Sequence, residues 1–171
     1  MQKDTVVLWA KYNKTINEIM NGFIKTLRPD EWNKQLGGFF KSVRELCSHL
    51  YIADFSWLKR FGNLREFNFL KDSFFEKNLS FNVVLFENID EYLAKRLELD
   101  TKMCAFAAEI QDEDLGKMLR YTNSQGESFE KNAGGLIMHI FNHDTHHRGM
   151  ISLYLELLER ENDFCSFNRV L

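Results

Sequence analysis

The chain has 171 residues, of which 44% are hydrophobic and 27% are charged, and its formal net charge is −3 at pH 7. This is an ordinary composition for one globular domain spanning residues 1–171, and it lacks the Lys/Arg cluster that would follow a phosphate backbone, which excludes nucleic acid as a predicted partner. No stretch approaches the roughly 18 apolar residues of a membrane span, so we expect a cytoplasmic protein without a membrane partner.

The residue types favour helices over strands. Nine glycines and a single proline leave few places for the frequent turns of an all-β chain, and 16 phenylalanines predict an aromatic core. The three cysteines stand far apart without a CxxC pair, which predicts reduced thiols and no disulfide. We therefore expect an all-α fold.

Two amphipathic helices are predicted in the first third of the chain. Apolar side chains recur at three- and four-residue steps over residues 9–27 and again over residues 39–61, which gives each helix one buried face. The first helix should end near Arg28, before the proline, and the second near Gly62. Residues 63–81 mix phenylalanine with charge and show no period, which predicts a long packed loop with room for a short helical turn.

A third helix should start near Asn82, and Asp100 interrupts its stripe, which would kink or end its regular part. The predicted stripe consists of Phe86, Ile89, Leu93, Leu97, Cys104 and Ala107. The stretch LRYTNSQGESFEK then predicts a small β-hairpin around an Asn-Ser-Gln-Gly turn, and a last helix should run from about Ala133 to Arg160. The predicted architecture is a four-helix bundle with a long loop after helix two and a small β-hairpin before helix four.

The five histidines lie in only two places, His49 and the segment HIFNHDTHHRG in the last helix. At about 100° per residue, His147 falls near the centre of the apolar stripe and His143 within about 50° of it, whereas His139 and His146 fall roughly 90° or more away. Two histidines four residues apart on one helical face can hold one divalent ion. We therefore predict His143 and His147 as a metal-binding pair.

His49 lies beside the inward stripe of helix two and is the predicted third ligand. Three neutral imidazoles leave at least one open coordination position, which is the arrangement of a catalytic site. Taken alone, His49 has the alternative role of a hydrogen-bonded core residue. His139 and His146 are expected at the rim of the site or as hydrogen-bonding supports of its ligands.

Two neighbouring residues receive roles outside the metal site. For Asp144 we favour a surface ion pair with Arg148, and the alternative is that it orients an imidazole. Cys47 is two residues from His49, which sends the two side chains to nearly opposite faces, so we expect it to pack in the core. Core packing is also expected of the aromatic residues Trp9, Tyr12, Phe39, Trp57 and Tyr154.

With these motifs the chain resembles the DinB-like superfamily of small metal-binding four-helix bundles, also described as thiol-dependent transferases. The resemblance covers most of the chain and rests on WAKYN, the stretch from Phe39 through SVRELCSHLYIADFSWLKRF, the hairpin YTNSQGESF, and HIFNHDTHHRG. The family pattern, a histidine in helix two and NHxxxHRG in the last helix, maps onto His49, His143 and His147. One departure is Met150, which stands where the motif commonly continues as HRGQ, so a polar contact near the site is missing.

The resemblance implies a divalent ion, often zinc or nickel, and a low-molecular-weight thiol such as bacillithiol, mycothiol or glutathione. The first hypothesis is a metal-dependent thiol S-transferase that acts on a small-molecule electrophile, with the ion and the exogenous thiol carrying most of the reaction. The alternatives are a metal-dependent hydrolase and a non-catalytic metal-binding stress-response protein. The family often forms homodimers, which implies a homodimer for this chain.

Overall fold

A computed structural model describes residues 1–171 and is mainly helical, with one small antiparallel sheet, which confirms the predicted helical class. The α-helices are α1 (Lys3–Ile24), α2 (Pro29–Trp32), α3 (Val43–Phe61), α4 (Ile89–Glu109), α5 (Asp112–Leu115) and α6 (Ala133–Leu157). The strands are β1 (Met118–Thr122) and β2 (Ser128–Asn132), and three short 3-10 helices cover Asn68–Lys71, Ser73–Glu76 and Phe167–Val170. None of the helices is both long and apolar enough to cross a membrane.

The four long helices enclose one continuous hydrophobic core. Helix α1 packs against α4 and α6, and α3 packs against the same two helices. Large aromatic side chains, among them Trp32, Phe61 and Phe106, are almost completely buried in this core, and each such burial contributes about 1.5–3 kcal/mol. Because α3 and α6 contact each other directly, His49 on α3 comes to lie alongside the histidines of α6.

The first two helices have different ends from those predicted. Helix α1 ends at Ile24, because the chain turns and starts α2, where the side chain of Glu31 accepts the backbone N–H of Arg28. Helix α3 begins at Val43, because Ser42 caps it. The prediction that Phe39 lies on this helix and packs in the core is therefore wrong, and its side chain is 85% exposed.

Helix α4 begins at Ile89, seven residues later than predicted. Asn88 caps it by accepting the backbone N–H of Glu91, and an N-cap of this kind typically contributes about 1 kcal/mol. Phe86 is buried although it precedes the helix. The prediction that Leu97 points inward is wrong, because the true stripe is narrower than the apolar pattern indicates and Leu97 is 52% exposed.

Asp100 does not kink or end α4, which continues unbroken to Glu109. The carboxylate is buried and accepts a hydrogen bond from Arg96, one turn earlier on the same helix, at 3.0 Å. The amide of Asn17 on α1 donates a second bond at 2.8 Å. A charge inside the stripe is tolerated at this position because a buried cation and a buried amide satisfy it.

The segment predicted as a long packed loop contains two short 3-10 helices rather than one helical turn. Phe69 and Phe75 are buried there, and the carboxylate of Glu109 accepts the backbone N–H groups at residues 68 and 69. The β-hairpin before α6 is confirmed, and Gly126 supplies the positive φ of 84° that its turn requires. Helix α6 ends at Leu157, three residues earlier than predicted.

Candidate metal centre

The three histidines predicted as ligands meet in one cluster between α3 and α6. Nε2 of His49 lies 3.1 Å from Nε2 of His143, and the ring centroids of His143 and His147 are 4.3 Å apart. One potential ligand nitrogen from each of the three rings lies within 4.8 Å of the others. The fold therefore supplies three converging imidazole donors, contributed by residues that are nearly 100 positions apart in the chain.

A divalent ion suits the chemistry of this donor set, and one pair of its nitrogens already has the spacing of metal ligands. Metal–nitrogen bonds of about 2.0–2.1 Å at tetrahedral angles separate two ligand nitrogens by about 3.3 Å, which is close to the 3.1 Å between His49 and His143. The same 3.1 Å also suits an N–H···N hydrogen bond between two neutral imidazoles. A hydrogen bond between His49 and His143 does not involve His147, and Nδ1 of His147 is buried without a hydrogen-bond partner. The packing of the three rings alone therefore leaves a buried nitrogen unsatisfied, at a cost of about 1–3 kcal/mol.

Burial keeps these imidazoles neutral. It lowers the pKa of His143 to about 4 and that of His147 to about 3, and the neighbouring histidines lower the pKa of His147 further. Burial also lowers the pKa of His49, although the charge of Asp54 opposes this shift. Because a metal binds only the unprotonated ring, the cluster is in its metal-binding form at neutral pH.

Acidification from about pH 7 to about pH 4 is expected to destabilise the metal-free protein through these histidines. In the unfolded chain they protonate near pH 6.5, whereas in the folded chain His143 and His147 protonate only near pH 4 and pH 3. Between these values the unfolded chain holds more protons, so the free energy of unfolding falls as the pH falls. Urea denaturation at several pH values measures the loss.

The double variant His143→Gln/His147→Gln is the matched control, because it lacks both titrating groups and keeps polar side chains of similar size. Its stability should fall less than that of the wild-type protein over the same pH range. Equal losses in the two proteins would show that folding does not lower the pKa values of these imidazoles.

Phe40 covers one side of the cluster. Its ring centroid lies 4.4 Å from that of His49 and 5.5 Å from that of His147. Phe40 lies in the loop before α3, and the hydroxyl of Tyr154 holds this loop by donating a hydrogen bond to the Phe40 carbonyl at 2.6 Å. Gly38 has a φ of 75°, and a Cβ there would lie 2.6 Å from that hydroxyl, so a larger residue does not fit. Sequence reasoning missed Phe40 because it extended helix two over this loop, and the paired glycines were the available signal.

The other two histidines of α6 lie at the rim of the cluster. His139 is exposed, packs edge-to-face on Trp57 with 5.5 Å between ring centroids, and lies 6.0 Å from His143. His146 is also exposed and lies 4.8 Å from His147. Neither donates a hydrogen bond to a ring of the cluster in the structure, so they occupy the rim position that was predicted as one of two roles.

The predicted surface ion pair between Asp144 and Arg148 is wrong. Both side chains are buried, and the Arg148 guanidinium donates hydrogen bonds to the amide oxygens of Asn13 and Asn17 instead. Asp144 does not orient an imidazole either, because neither of its carboxyl oxygens has a hydrogen-bond partner. Burial, together with the charge of Asp54 beside it, raises the pKa of Asp144 well above its usual range and favours its neutral form.

A buried polar network lies near the cluster, and no sequence pattern indicated it. Arg96 on α4 donates to Asp54 on α3 at 2.6 Å, and it also holds Asp100. The charge of Asp54 raises the pKa of His49 and of His143, against the larger effect of burial, which places the network within electrostatic reach of the cluster. Its members come from different helices, so helical spacing alone cannot connect them.

The predicted packing roles of Cys47, Tyr12, Trp57 and Tyr154 are confirmed, since all four side chains are buried in the core, whereas Trp9 is half-buried against it. Burial raises the pKa of the Cys47 thiol to about 12. A thiol with that pKa is almost entirely protonated at neutral pH, so Cys47 is not a nucleophile of this site.

Comparison with known proteins gives two findings. The sequence profile described as the DinB family matches residues 1–167 of the chain. A curated relative, Protein DinB of Bacillus subtilis (strain 168), is 26% identical over 154 residues, which cover 85% of this chain and 81% of the relative. The region matched by the profile includes both histidine-bearing helices, α3 and α6.

Proposed function

The chain belongs to the DinB family, and on that premise we propose that it is a metal-dependent enzyme that transfers a small-molecule thiol to an electrophile. The observation that carries the proposal is the convergence of three imidazoles, His49, His143 and His147, whose nitrogens lie within 4.8 Å of one another. The proposed cofactor is a divalent transition metal, zinc or nickel, since imidazole suits both. The proposed domain is one DinB-type four-helix bundle over residues 1–171.

When bound at three neutral imidazoles, such an ion lowers the pKa of a thiol or a water in its remaining position. The chain contributes the rest: the histidines stay unprotonated, and the ring of Phe40 shields one side of the cluster from water. In the transfer, the thiol sulfur forms a bond to the electrophilic carbon, the bond to the leaving group breaks, and the thiol proton passes to solvent. The thiol must come from outside, because burial raises the pKa of all three cysteines and keeps them protonated at neutral pH.

A second candidate is a non-catalytic metal-binding stress-response protein. The position of Phe40 favours it, because this ring lies against two of the three imidazoles and narrows the approach to them. A hydrolase differs from the transferase only in the attacking group, water in place of a thiol. The proposed setting is the cytoplasm, where small thiols stay reduced, and the proposed assembly is a homodimer.

Conjugation of several low-molecular-weight thiols to 1-chloro-2,4-dinitrobenzene tests the proposal. The zinc- or nickel-loaded protein should release chloride and form the thioether, and His143→Ala should lower the rate at least 100-fold because it removes a ligand. His146→Ala is the control, since this exposed residue of the same helix lies outside the cluster. Hydrolysis of an activated ester without thiol would instead favour the hydrolase. No turnover in either assay, or equal rates in the two variants, would contradict an enzyme that uses this site.

A further inference from the structure

A polar cavity of about 470 Å³ lies between α3, the segment that follows residue 78, and the turn of the β-hairpin. Its volume is in the range of small-molecule sites. Hydroxyl, amide and guanidinium groups make up most of its lining, which includes Ser56, Arg60, Ser80, Asn82, Ser124 and Gln125. None of these residues belongs to the histidine cluster, and the proposed function assigns no role to them.

Arg60 is the cation of this cavity, and it has no partner for its charge. The guanidinium lies over the rings of Trp57 and Tyr121, at 4.7 Å and 5.4 Å from their centroids. It donates no hydrogen bond to the protein, whereas the guanidinium of every other arginine in the chain does. Burial lowers its pKa, and no carboxylate acts on it. A half-buried guanidinium stacked on two rings presents its N–H edge to a planar anion.

The cavity and the histidine cluster share one face of α3. Ser56 and Arg60 follow His49 by 7 and 11 residues. At about 100° per residue, each of the two side chains therefore points within about 20° of the direction of His49. The Cα atoms of His49 and Arg60 are about 16 Å apart along the axis, and because both side chains lean towards the N-terminus, the guanidinium and the imidazole are separated by a similar distance. Phe81 lines the cavity, and its ring centroid is 6.5 Å from that of His49, so the two regions adjoin.

We propose that this cavity binds a small carboxylate-bearing molecule of about tripeptide length, with its carboxylate on Arg60 and its other end at the histidine cluster. An extended chain of three residues spans about 10 Å, and a contact of about 3 Å at each end brings the total to the separation of about 16 Å between Arg60 and His49. The hydroxyl and amide groups of the lining then hydrogen bond the middle of the molecule. The identity of its far end as the reacting thiol rests on the proposed function, whereas the binding of the carboxylate by Arg60 does not.

S-Methylglutathione is a suitable probe, because it is a tripeptide with two carboxylates and a blocked sulfur. Isothermal titration calorimetry on the zinc-loaded wild-type protein should detect binding, and Arg60→Gln should weaken it at least 10-fold, since a charged hydrogen-bond donor is lost. The dimethyl ester of the probe should bind the wild-type protein as weakly as the acid binds the variant. Arg120→Gln, which removes an exposed arginine of the neighbouring hairpin, should bind like the wild type. No binding to the wild type, or equal binding to Arg60→Gln, would overturn the assignment.

2-Mercaptoethanol, a thiol without a carboxylate, separates this assignment from the proposed function. Added to the cobalt-substituted protein, it should change the metal absorption spectrum equally in the wild type and in Arg60→Gln, because it reaches the histidine cluster without Arg60. An unchanged spectrum in both proteins would count against the thiol transferase. Binding of S-methylglutathione that depends on Arg60 would still support the carboxylate site in that case.

Discussion

Replacement of Arg96 by methionine is expected to lower the free energy of unfolding by about 3–5 kcal/mol. The guanidinium is completely buried and holds two buried carboxylates, Asp54 at 2.6 Å and Asp100 at 3.0 Å. Methionine fills a similar volume but removes the charge, so both acids are left in the core without a counterion. Urea denaturation at about pH 7 measures the loss.

Arg120→Met is the matched control, because it removes an arginine from an ion pair with Glu130 that is largely exposed to solvent. Exposed pairs contribute about 0–1 kcal/mol, so this variant should be nearly as stable as the wild type. Burial already raises the pKa of Asp100, and in Arg96→Met this pKa should rise further because the opposing charge of Arg96 is lost, and a protonated acid is less costly to bury. The loss should therefore be smaller at about pH 5 than at about pH 8. A loss no larger than that of the control, or one that is independent of pH, would contradict the role assigned to Arg96.

Zinc is expected to stabilise the wild-type protein against unfolding, by about 2.7 kcal/mol when the free ion is at 100 times its dissociation constant. Removal of a hydrogen-bonding support of a ligand already lowers metal affinity by about 10–100-fold, so the loss of a ligand itself should lower it further. At the same zinc concentration, His49→Ala, His143→Ala and His147→Ala should therefore show little stabilisation. Thermal unfolding with and without zinc measures the effect.

His146→Ala should keep the full stabilisation by zinc, because this ring lies outside the converging set of nitrogens. The comparison is made within one helix, so a general effect of shortening a histidine side chain would appear in both proteins. Zinc stabilisation that persists in His143→Ala and His147→Ala would place the ion elsewhere on the protein.

Sequence reasoning was sufficient to bring the three histidines together. The four-residue spacing of His143 and His147 and their place on the apolar stripe follow from helical geometry alone. The addition of His49 needed only that its helix pack against the last one, which the contact between α3 and α6 provides. The helix ends were less predictable, because capping residues such as Ser42 and Asn88 begin helices several residues later than the apolar pattern does.

The buried charges could not be predicted from the sequence in the same way. A charge in an apolar stripe indicates a break or a solvent-facing position, which is the prediction that failed for Asp100 and for the pair Asp144 and Arg148. In the structure, most of these groups form hydrogen bonds with residues of other helices. Asp100 has a partner 83 residues away in the chain, and Arg148 has one 135 residues away. Arg60 was missed for the same reason, since its cavity forms only where α3, the segment after residue 78 and the hairpin meet.

The most direct test of the metal centre is the metal content per chain, measured by inductively coupled plasma mass spectrometry on protein purified without affinity-tag metals. The wild-type protein should carry close to one transition-metal ion per chain, and folded His49→Ala, His143→Ala and His147→Ala should carry almost none. A wild-type protein that stays metal-free after reconstitution with zinc and with nickel would contradict the proposal. The close approach of His49 to His143 would then be a hydrogen bond between two packed imidazoles.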